Sequence, residues 1–221
     1  MISPDGGSLL GMQTFLNITM SLDGFVAGPN ASLEDPLGEG GEQLHEWITG
    51  LASWRGPHGL DGGETGADDA LVRETDERTG AFVMGRRMFS GGSGPWEDDP
   101  NANGWWGDEP PFDRPVFVVT RHARDPLTLG TTTFTFVDGV EQAIQLSREA
   151  AGDRDVQVSG GASVADQALS AGLLDALIVH VAPLLLGAGV RLFDHVDPRP
   201  IELVHALGSA QVTHLTYRVR R

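Results

Sequence analysis

A strand-like segment of this sequence runs through two glycines directly into a helix-like segment. The turn and the residues that open the helix are Ser159, Gly160, Gly161, Ala162, Ser163 and Val164. The first N–H groups of a helix lack intrahelical acceptors and carry partial positive charge, and glycine lets a ligand approach the backbone closely. This pattern predicts a pyrophosphate site. Alternatively, the glycines only make a tight corner, and Ser163 caps the helix together with Asp166.

Arginines follow two other apolar runs, at the points where the predicted strands end. The residues concerned are Gly85, Arg86, Arg87 and Met88 after the first run, and Thr120 and Arg121 after the second. Guanidinium groups bind phosphate through paired hydrogen bonds, and ligands of open parallel sheets bind beyond the carboxyl ends of the strands. The three segments are therefore predicted to surround one phosphorylated dinucleotide, with the arginines at a further phosphate such as the 2′-phosphate of NADP. A single arginine after a strand is more often a solvated surface residue.

Strand-like and helix-like patterns alternate along most of the chain. Strands are predicted at residues 14–21, 81–84, 115–119, 131–137, 156–159, 177–181 and 192–193, with a final hairpin at 201–206 and 211–219. Helices are predicted at residues 42–54, 68–78 and 138–151 and after the glycine turn. The order predicts an α/β fold, a doubly wound, mostly parallel sheet with helices on both faces and an antiparallel C-terminal hairpin at one edge. Residues 1–13 are predicted to form a tail and residues 14–221 a single domain.

Composition excludes several classes of function. The chain has 221 residues with 15 Lys+Arg and 31 Asp+Glu, so its net charge is −16, which disfavours nucleic acid and acidic membranes as partners. It contains no lysine, which excludes a Schiff base and a Walker A motif, and no cysteine, which excludes disulfides and cysteine-ligated zinc. The histidines lack ligand spacing, so no metal is expected. Since no membrane-length apolar run or secretory signal is apparent, we expect a cytoplasmic protein.

Five segments occur in an informative order. They are residues 20–30 (MSLDGFVAGPN), 83–89 (VMGRRMF), 116–121 (VFVVTR), 158–164 (VSGGASV) and 182–193 (APLLLGAGVRLF). Together they resemble the dihydrofolate-reductase-like superfamily, and within it the branch that includes the reductase domain of riboflavin-synthesis deaminase-reductases. The resemblance extends over about residues 14 to 219.

The resemblance implies an NADPH-dependent reductase that acts on a small pterin-like, pyrimidine-like or carbonyl substrate as a homodimer. It assigns residues 85–88 to the pyrophosphate and adenosine side, Thr120 and Arg121 to the 2′-phosphate, and residues 160–164 to the pyrophosphate. It also assigns the backbone of Val26 and Ala27 to the nicotinamide. The absence of cysteine leaves no fused zinc deaminase.

Candidate catalytic residues follow from this assignment. Asp23, at the exit of the first strand, is the first candidate for a substrate anchor or proton relay, and Glu46 and His45 come next. True dihydrofolate reductases carry a buried helix carboxylate that has no clear counterpart here, so folate is not the expected substrate. Asp23 followed by Gly24 is also an ordinary turn.

Tryptophans are candidates for binding a flat substrate. Trp47 and Trp96 are predicted to contact it, with Trp105 and Trp106 as further candidates. Trp47 suits the core equally well. A second hypothesis for the whole chain is an NADP(H)-binding sensor or scaffold without turnover.

Overall fold

The computed structural model describes residues 13–220. Their strands are β1 Thr14–Ser21, β2 Phe25–Ala27, β3 Thr79–Gly85, β4 Val116–Val119, β5 Leu127–Leu129, β6 Thr132–Val137, β7 Asp155–Gly160, β8 Ala176–Ala182, β9 Val190–Arg191, β10 Ile201–Gly208 and β11 Thr213–Val219. Their helices are α1 Glu46–Thr49, α2 Ala52–Arg55, α3 Ala67–Arg78, α4 Arg86–Ser90, α5 Val140–Ala151 and α6 Ala162–Ser170. Short 3₁₀ turns occupy Gly41–His45, Gly56–His58 and Trp96–Asp98. All of the predicted tail except Gln13 lies outside the described residues.

Nine strands form one mixed sheet in the order β10-β11-β8-β1-β7-β3-β4-β6-β5. The six strands from β8 to β6 run parallel to one another. At one edge β11 and β10 form the antiparallel C-terminal hairpin, and at the other edge β5 pairs antiparallel with β6. The predicted fold class is confirmed. The strand β5 was not predicted, because its three residues have no long apolar run.

Both faces of the sheet are covered. On one face α5 and α6 pack Ile144 and Leu169 against Leu16, Val83 and Val158. Side chains alternate between faces along a strand, so the neighbours of these residues point the other way. There α1 packs over β1 and β8, and the long loop after α4 covers β3, β4 and β6 with aromatic side chains. The buried strands are positioned between these two layers.

The single helix predicted for residues 42–54 is wrong. The segment is instead a 3₁₀ turn followed by the one-turn helices α1 and α2. Leu51 between them is extended, with φ −78° and ψ 145°. The Ala52 N–H donates to the Glu64 carbonyl, and the Glu64 N–H donates to the Gly50 carbonyl. This bridge to a distant segment takes the backbone groups that a continuous helix would have used.

Two smaller boundaries also differ from the sequence-based prediction. Gly80, expected to end α3, lies inside β3, where a Cβ atom would come within 2.8 Å of the Cβ atoms of Ala151 and Arg154. Glycine therefore permits the close approach of the end of α5. The strand expected at residues 192–193 lies at Val190–Arg191, where it pairs with β2.

Candidate active site

Three strand ends meet at one edge of the sheet. Strands β7, β3 and β4 are adjacent and parallel, and the register pairs Met84 with Gly160 and Gly85 with Val119. Arg86 follows β3 directly, and Arg121 lies two residues beyond β4. The three phosphate-binding segments predicted from sequence are therefore brought together at the carboxyl edge.

The glycine turn leads from β7 into α6. The Gly160–Gly161 peptide is cis, Gly160 has φ 113°, and Gly161 is the N-cap residue of α6. No side chain caps this helix, so the predicted Ser163–Asp166 capping pair does not form; Asp166 is buried. The free first-turn N–H groups of a helix attract anions.

The end of β3 lies against this turn. A Cβ atom on Gly85 would lie 3.1 Å from Val164 Cγ2 and 3.6 Å from Gly161 N. Met88, one turn into α4, approaches the same place, because its Sδ lies 3.9 Å from the Cβ position of Gly160. The residues predicted from two distant sequence segments thus form one continuous surface.

Arg86 is buried and already paired. Its Nη2 lies 2.6 Å from Asp99 Oδ2, and both side chains are at most 6% exposed. Its guanidinium also lies 3.5 Å from the Trp96 ring centre. Burial raises the pKa of Asp99, but hydrogen bonds from Ser90, Arg86 and the Asn101 N–H outweigh it and hold that pKa below its usual value. The Arg86 charge is therefore compensated within the protein.

Trp96 belongs to this arginine cluster. The Arg124 guanidinium lies 4.6 Å from the same ring, and the indole N–H donates to the His122 carbonyl at 2.8 Å. Trp96, predicted to contact substrate, is thus held beside the end of β4 between two arginines. Trp106 stacks on Phe134 in the aromatic layer, whereas Trp105 is 38% exposed.

Arg87 and Arg121 are exposed, unlike Arg86. Neither forms an ion pair with any residue between 13 and 220. Arg87 borders a cavity of about 400 Å³ between the loops at residues 31–36 and 91–99. Thr120 is buried, and its hydroxyl oxygen accepts a hydrogen bond from the His122 N–H. Two of the three predicted arginines are therefore available to an anion.

Asp23 ties two loops together. Its carboxylate accepts hydrogen bonds from the Ser21 hydroxyl at 2.6 Å and from the N–H groups of Leu186 and Gly187 at 3.1 and 2.7 Å. The Ser21 hydrogen bond, with support from the two N–H groups, lowers the pKa of Asp23. The group is an anion at neutral pH, which disfavours a role as a proton donor.

The remaining candidates lie in different surroundings. Val26 and Ala27 are half-buried on β2, which pairs with β9. Glu46 is exposed on α1, and burial lowers the pKa of His45 beside it. Trp47 is 4% exposed and packs on His180. The ring of Trp47 is part of the core.

Sequence reasoning missed the polar side chains between α1 and the glycine turn. Asn17 on β1 and Gln157 on β7 are hydrogen-bonded at 3.1 Å on the sheet face opposite α5 and α6. The sequence does contain a pattern that indicates these residues: polar residues at 17, 19, 157 and 159 alternate with apolar ones at 16, 18, 156 and 158, so the polar side chains share one face of the sheet. In residues 13–220, no cluster of His, Asp or Glu is arranged to hold a metal ion, and no helix is long and apolar enough to cross a membrane.

Comparison with protein families gives a match over residues 13–215 to the model of the RibD C-terminal domain. The chain belongs to this family. Its fold is the dihydrofolate-reductase-like fold seen in solved RibD proteins. No curated protein matches the sequence.

Solved structures share this fold at low identity. A putative riboflavin biosynthesis protein from Shewanella sp. PV-4 is 20% identical with a TM-score of 0.63, and the match covers 95% of this chain and 100% of that one. A diaminohydroxyphosphoribosylaminopyrimidine deaminase/5-amino-6-(5-phosphoribosylamino)uracil reductase from Thermotoga maritima is 14% identical with a TM-score of 0.55, covering 94% and 56%. Acinetobacter baumannii RibD is 19% identical with a TM-score of 0.53, covering 96% and 59%. This RibD C-terminal domain protein therefore spans little more than half the length of the last two.

Proposed function

We propose that the chain is an NADPH-dependent reductase that transfers a hydride to a small pterin-like, pyrimidine-like or carbonyl substrate. The observation that carries this proposal is the meeting of β7, β3 and β4 at one edge, with a glycine turn and two exposed arginines. Membership of the RibD C-terminal domain family supports it. The description of the Thermotoga relative as a uracil reductase supports the heterocyclic substrate class.

The glycine turn fits a pyrophosphate. A Cβ atom built on Gly161 meets nothing within 4 Å, so the space beside this backbone is open, whereas one built on Gly85 would touch Val164. The residues proposed to hold the pyrophosphate are Ser159, Gly160, Gly161, Ala162, Ser163 and Val164. Because the Val164 N–H already donates to the Gly161 carbonyl, the N–H groups of Ala162 and Ser163 are the helix donors proposed for the anion.

The exposed arginines are proposed to set the preference for the 2′-phosphorylated cofactor. Arg121 with Thr120 would hold the 2′-phosphate, and Arg87 with Met88 would border the adenosine side. Arg86 acts indirectly here, because its charge is compensated by Asp99 and it orders the Trp96 ring. A guanidinium matches a phosphate in geometry as well as charge.

Bound NADPH would supply the hydride, and the chain would supply orientation and a proton. The backbone of Val26 and Ala27 is proposed to border the nicotinamide. Asp23 is proposed as an anchor for the substrate side of the site, since its lowered pKa keeps it ionised. Glu46, exposed on α1, is the remaining carboxyl group proposed to supply the proton.

A binding experiment tests the cofactor assignment. NADPH and NADH are titrated against the wild type, Arg121→Ala and Arg218→Ala. The control residue Arg218 is exposed and pairs with Ala176, the first residue of β8, so it lies at the opposite edge of the sheet from Arg121. We expect Arg121→Ala to weaken NADPH at least ~10-fold, equivalent to ~1.4 kcal/mol, and to leave NADH unchanged. Equal loss for both cofactors, or an equal effect of Arg218→Ala, contradicts the assignment.

The second candidate function is an NADP(H)-binding sensor or scaffold without turnover. The hydrogen bonding of Asp23 favours it, because Ser21, Leu186 and Gly187 already donate to the carboxylate of this candidate proton relay. NADPH oxidation in the presence of pterins, pyrimidine ribosides and quinonoid substrates separates the two functions. Steady oxidation that falls in Glu46→Gln with unchanged NADPH affinity supports the enzyme. Binding without oxidation across the panel supports the sensor.

The proposed assembly is a cytoplasmic homodimer. The edge strand β10 pairs with β11 on one side, and its Ile201 and Leu203 are 41% and 54% exposed. Exposed apolar residues on an edge strand favour pairing with another chain. Light scattering should therefore give twice the 23.5 kDa chain mass, and a monomeric mass contradicts this proposal.

A further inference from the structure

A row of hydrogen-bonded polar side chains crosses the sheet beneath Trp47. It passes over the adjacent strands β11, β8, β1 and β7 and joins the N-terminal turn of α3 to the glycine turn. Its members, in order, are Asp68, His214, His180, Asn17, Gln157 and Ser159.

The first half of the row consists of two buried histidines. His214 Nε2 lies 3.1 Å from Asp68 Oδ1, the two Nδ1 atoms of His214 and His180 are 2.6 Å apart, and His180 Nε2 lies 2.7 Å from Asn17 Oδ1. Both rings are at most 6% exposed. Trp47 packs against them with ring centres 4.8 and 5.1 Å away, which holds both imidazoles in place.

The second half reaches the proposed cofactor site. Asn17 Nδ2 donates to Gln157 Oε1 at 3.1 Å, and Gln157 Nε2 donates to Ser159 Oγ at 3.1 Å. Ser159 is half-exposed and directly precedes Gly160. The row therefore ends on a hydroxyl group at the glycine turn.

With the amides of Asn17 and Gln157 oriented as in the structure, counting hydrogens along the row gives the protonation of His214 in this arrangement. Asn17 Oδ1 can only accept, so His180 Nε2 carries hydrogen. Burial lowers the pKa of His180 to about 3, so this ring is neutral and its Nδ1 accepts from His214 Nδ1. His214 Nε2 faces the Asp68 carboxylate and must also donate, so His214 is an imidazolium in this arrangement. At the far end Ser159 accepts, and its own hydroxyl hydrogen is free for a ligand.

The row has a second arrangement with one proton fewer. If the amides of Asn17 and Gln157 rotate by 180°, the four bonds from Ser159 to His214 reverse: Ser159 donates to Gln157, and His180 donates from Nδ1 to a neutral His214. His214 then donates only from Nε2, to Asp68. The number of hydrogen bonds is the same, but Ser159 now offers a ligand only its lone pairs.

We propose that His214 and Ser159 are the two ends of a proton-linked switch, in which a phosphate group bound at the glycine turn accepts the Ser159 hydroxyl hydrogen and thereby favours protonated His214. The identity of this phosphate as part of NADPH rests on the proposed function. The switch itself rests on the row of side chains.

The surroundings of His214 set the direction of the pH effect. Burial lowers its pKa, the Asp68 hydrogen bond and charge on α3 oppose this, and His205 on β10 lowers it further; on β8 it faces neutral His180. Without ligand, His214 therefore protonates below its ordinary 6.5. Phosphate binding raises this value, so His214 takes up a proton when the ligand binds, and the ligand binds more tightly as the pH falls through this range.

The first experiment uses the ligand-free protein and needs no cofactor. ¹⁵N NMR of the imidazole nitrogens reports which nitrogen of each ring carries hydrogen. As His214 becomes protonated on acidification, we expect His180 to change from the Nδ1–H to the Nε2–H tautomer. A His180 tautomer that stays constant through the His214 titration overturns the switch.

The second experiment measures protons taken up on binding, by calorimetry of NADPH in buffers of different ionisation enthalpy. We expect net proton uptake, absent in His214→Gln and unchanged in His58→Gln, an exposed histidine of the 3₁₀ turn Gly56–His58. Ser159→Ala should also abolish the uptake and weaken NADPH ~10-fold, as loss of a hydrogen bond to a charged group does. Binding of the wild type without proton uptake overturns the switch.

Inorganic pyrophosphate separates this inference from the proposed function. If pyrophosphate binds with proton uptake and NADPH does not bind, the reductase proposal fails and the switch is supported. If neither ligand binds, the switch and the reductase proposal are both overturned.

Discussion

The carboxylate of Asp23 accepts a 2.7 Å hydrogen bond from the N–H of Gly187, which joins the end of β1 to the loop that leads to β9. The Arg191 guanidinium donates to the Asp23 carbonyl at 2.9 Å and strengthens the same connection. Since β9 pairs with β2, this tie also determines where Val26 and Ala27 lie. The ionised side chain of Asp23 therefore helps to position the segment proposed to border the nicotinamide.

Replacing Asp23 with Asn should lower Tm at pH 7, because an amide has one acceptor oxygen where the carboxylate offers two. The pKa of Asp23 is lowered on folding, chiefly by the Ser21 hydroxyl. Its stabilising contribution is thus complete above the ordinary value of 3.8 and is lost as the pH falls through the folded value. Thermal unfolding from pH 7 to 3 should show the two proteins converging in acid. Asp153→Asn, an exposed turn residue, serves as the control, and a pH-independent difference contradicts the prediction.

Removing the partner of Arg86 should be costly. Asp99→Ala leaves a buried guanidinium without its 2.6 Å ion pair, and loss of one partner of such a pair costs ~3–5 kcal/mol. The double variant Arg86→Met with Asp99→Leu should be less destabilised than Asp99→Ala, since no charge remains buried. Urea unfolding measures both free energies. Equal destabilisation of the single and double variants is inconsistent with an uncompensated charge.

Trp47 should affect stability rather than substrate binding. Its indole N–H donates to Thr19 Oγ1 at 3.3 Å, so Trp47→Phe should cost ~1 kcal/mol of unfolding free energy for the lost hydrogen bond. Truncation to Ala should cost ~3–5 kcal/mol. Chemical denaturation gives these values, and steady-state kinetics should show an unchanged KM in Trp47→Phe. A raised KM with unchanged stability would restore the predicted substrate contact.

Two glycines provide a matched pair of substitutions. Gly161→Ala places a methyl group in open space, so Tm should change little, while NADPH affinity should fall at least ~10-fold because the backbone can no longer be approached. Gly80→Ala forces its methyl group against Ala151 and Arg154, and should cost ~1–3 kcal/mol while leaving affinity unchanged. Calorimetric titration and thermal melts on both variants test this separation. An unaltered affinity in Gly161→Ala contradicts the proposed pyrophosphate site.

Much of this architecture could be predicted because the signals are local. Apolar runs at residues 115–119 and 177–181 identified central strands within one residue, and the parallel topology then brought Gly160, Arg86 and Arg121 to one edge. Features that depend on partners distant in sequence could not be predicted. The backbone bridge between Leu51 and Glu64 divides a helix that periodicity alone would make continuous.

The same distinction applies to the site. The arginine at position 86 predicted a phosphate contact. Its burial depends on Asp99 and Trp96, which belong to a loop whose sequence shows no helix or strand periodicity. Asp23 was predicted to be catalytic because nothing near it in the sequence indicates a partner. The Leu186 and Gly187 N–H groups that donate to its carboxylate lie more than 160 residues later in the chain. The sequence therefore predicted which residues lie at the carboxyl edge of the sheet, but not whether their side chains are buried or already hydrogen-bonded.

The central position of β7 has a consequence for how the molecule matures. This strand is seventh along the chain but inserts between β1 and β3, which are among the first to be synthesised. Contacts between residues so distant along the chain form slowly, because a long loop must close before they are made. A nascent chain still lacking residue 160 has a gap through the middle of its sheet. Affinity for a dinucleotide should therefore appear only after residues 155–164 have been synthesised, so ligand binding would report that the central strand is in place.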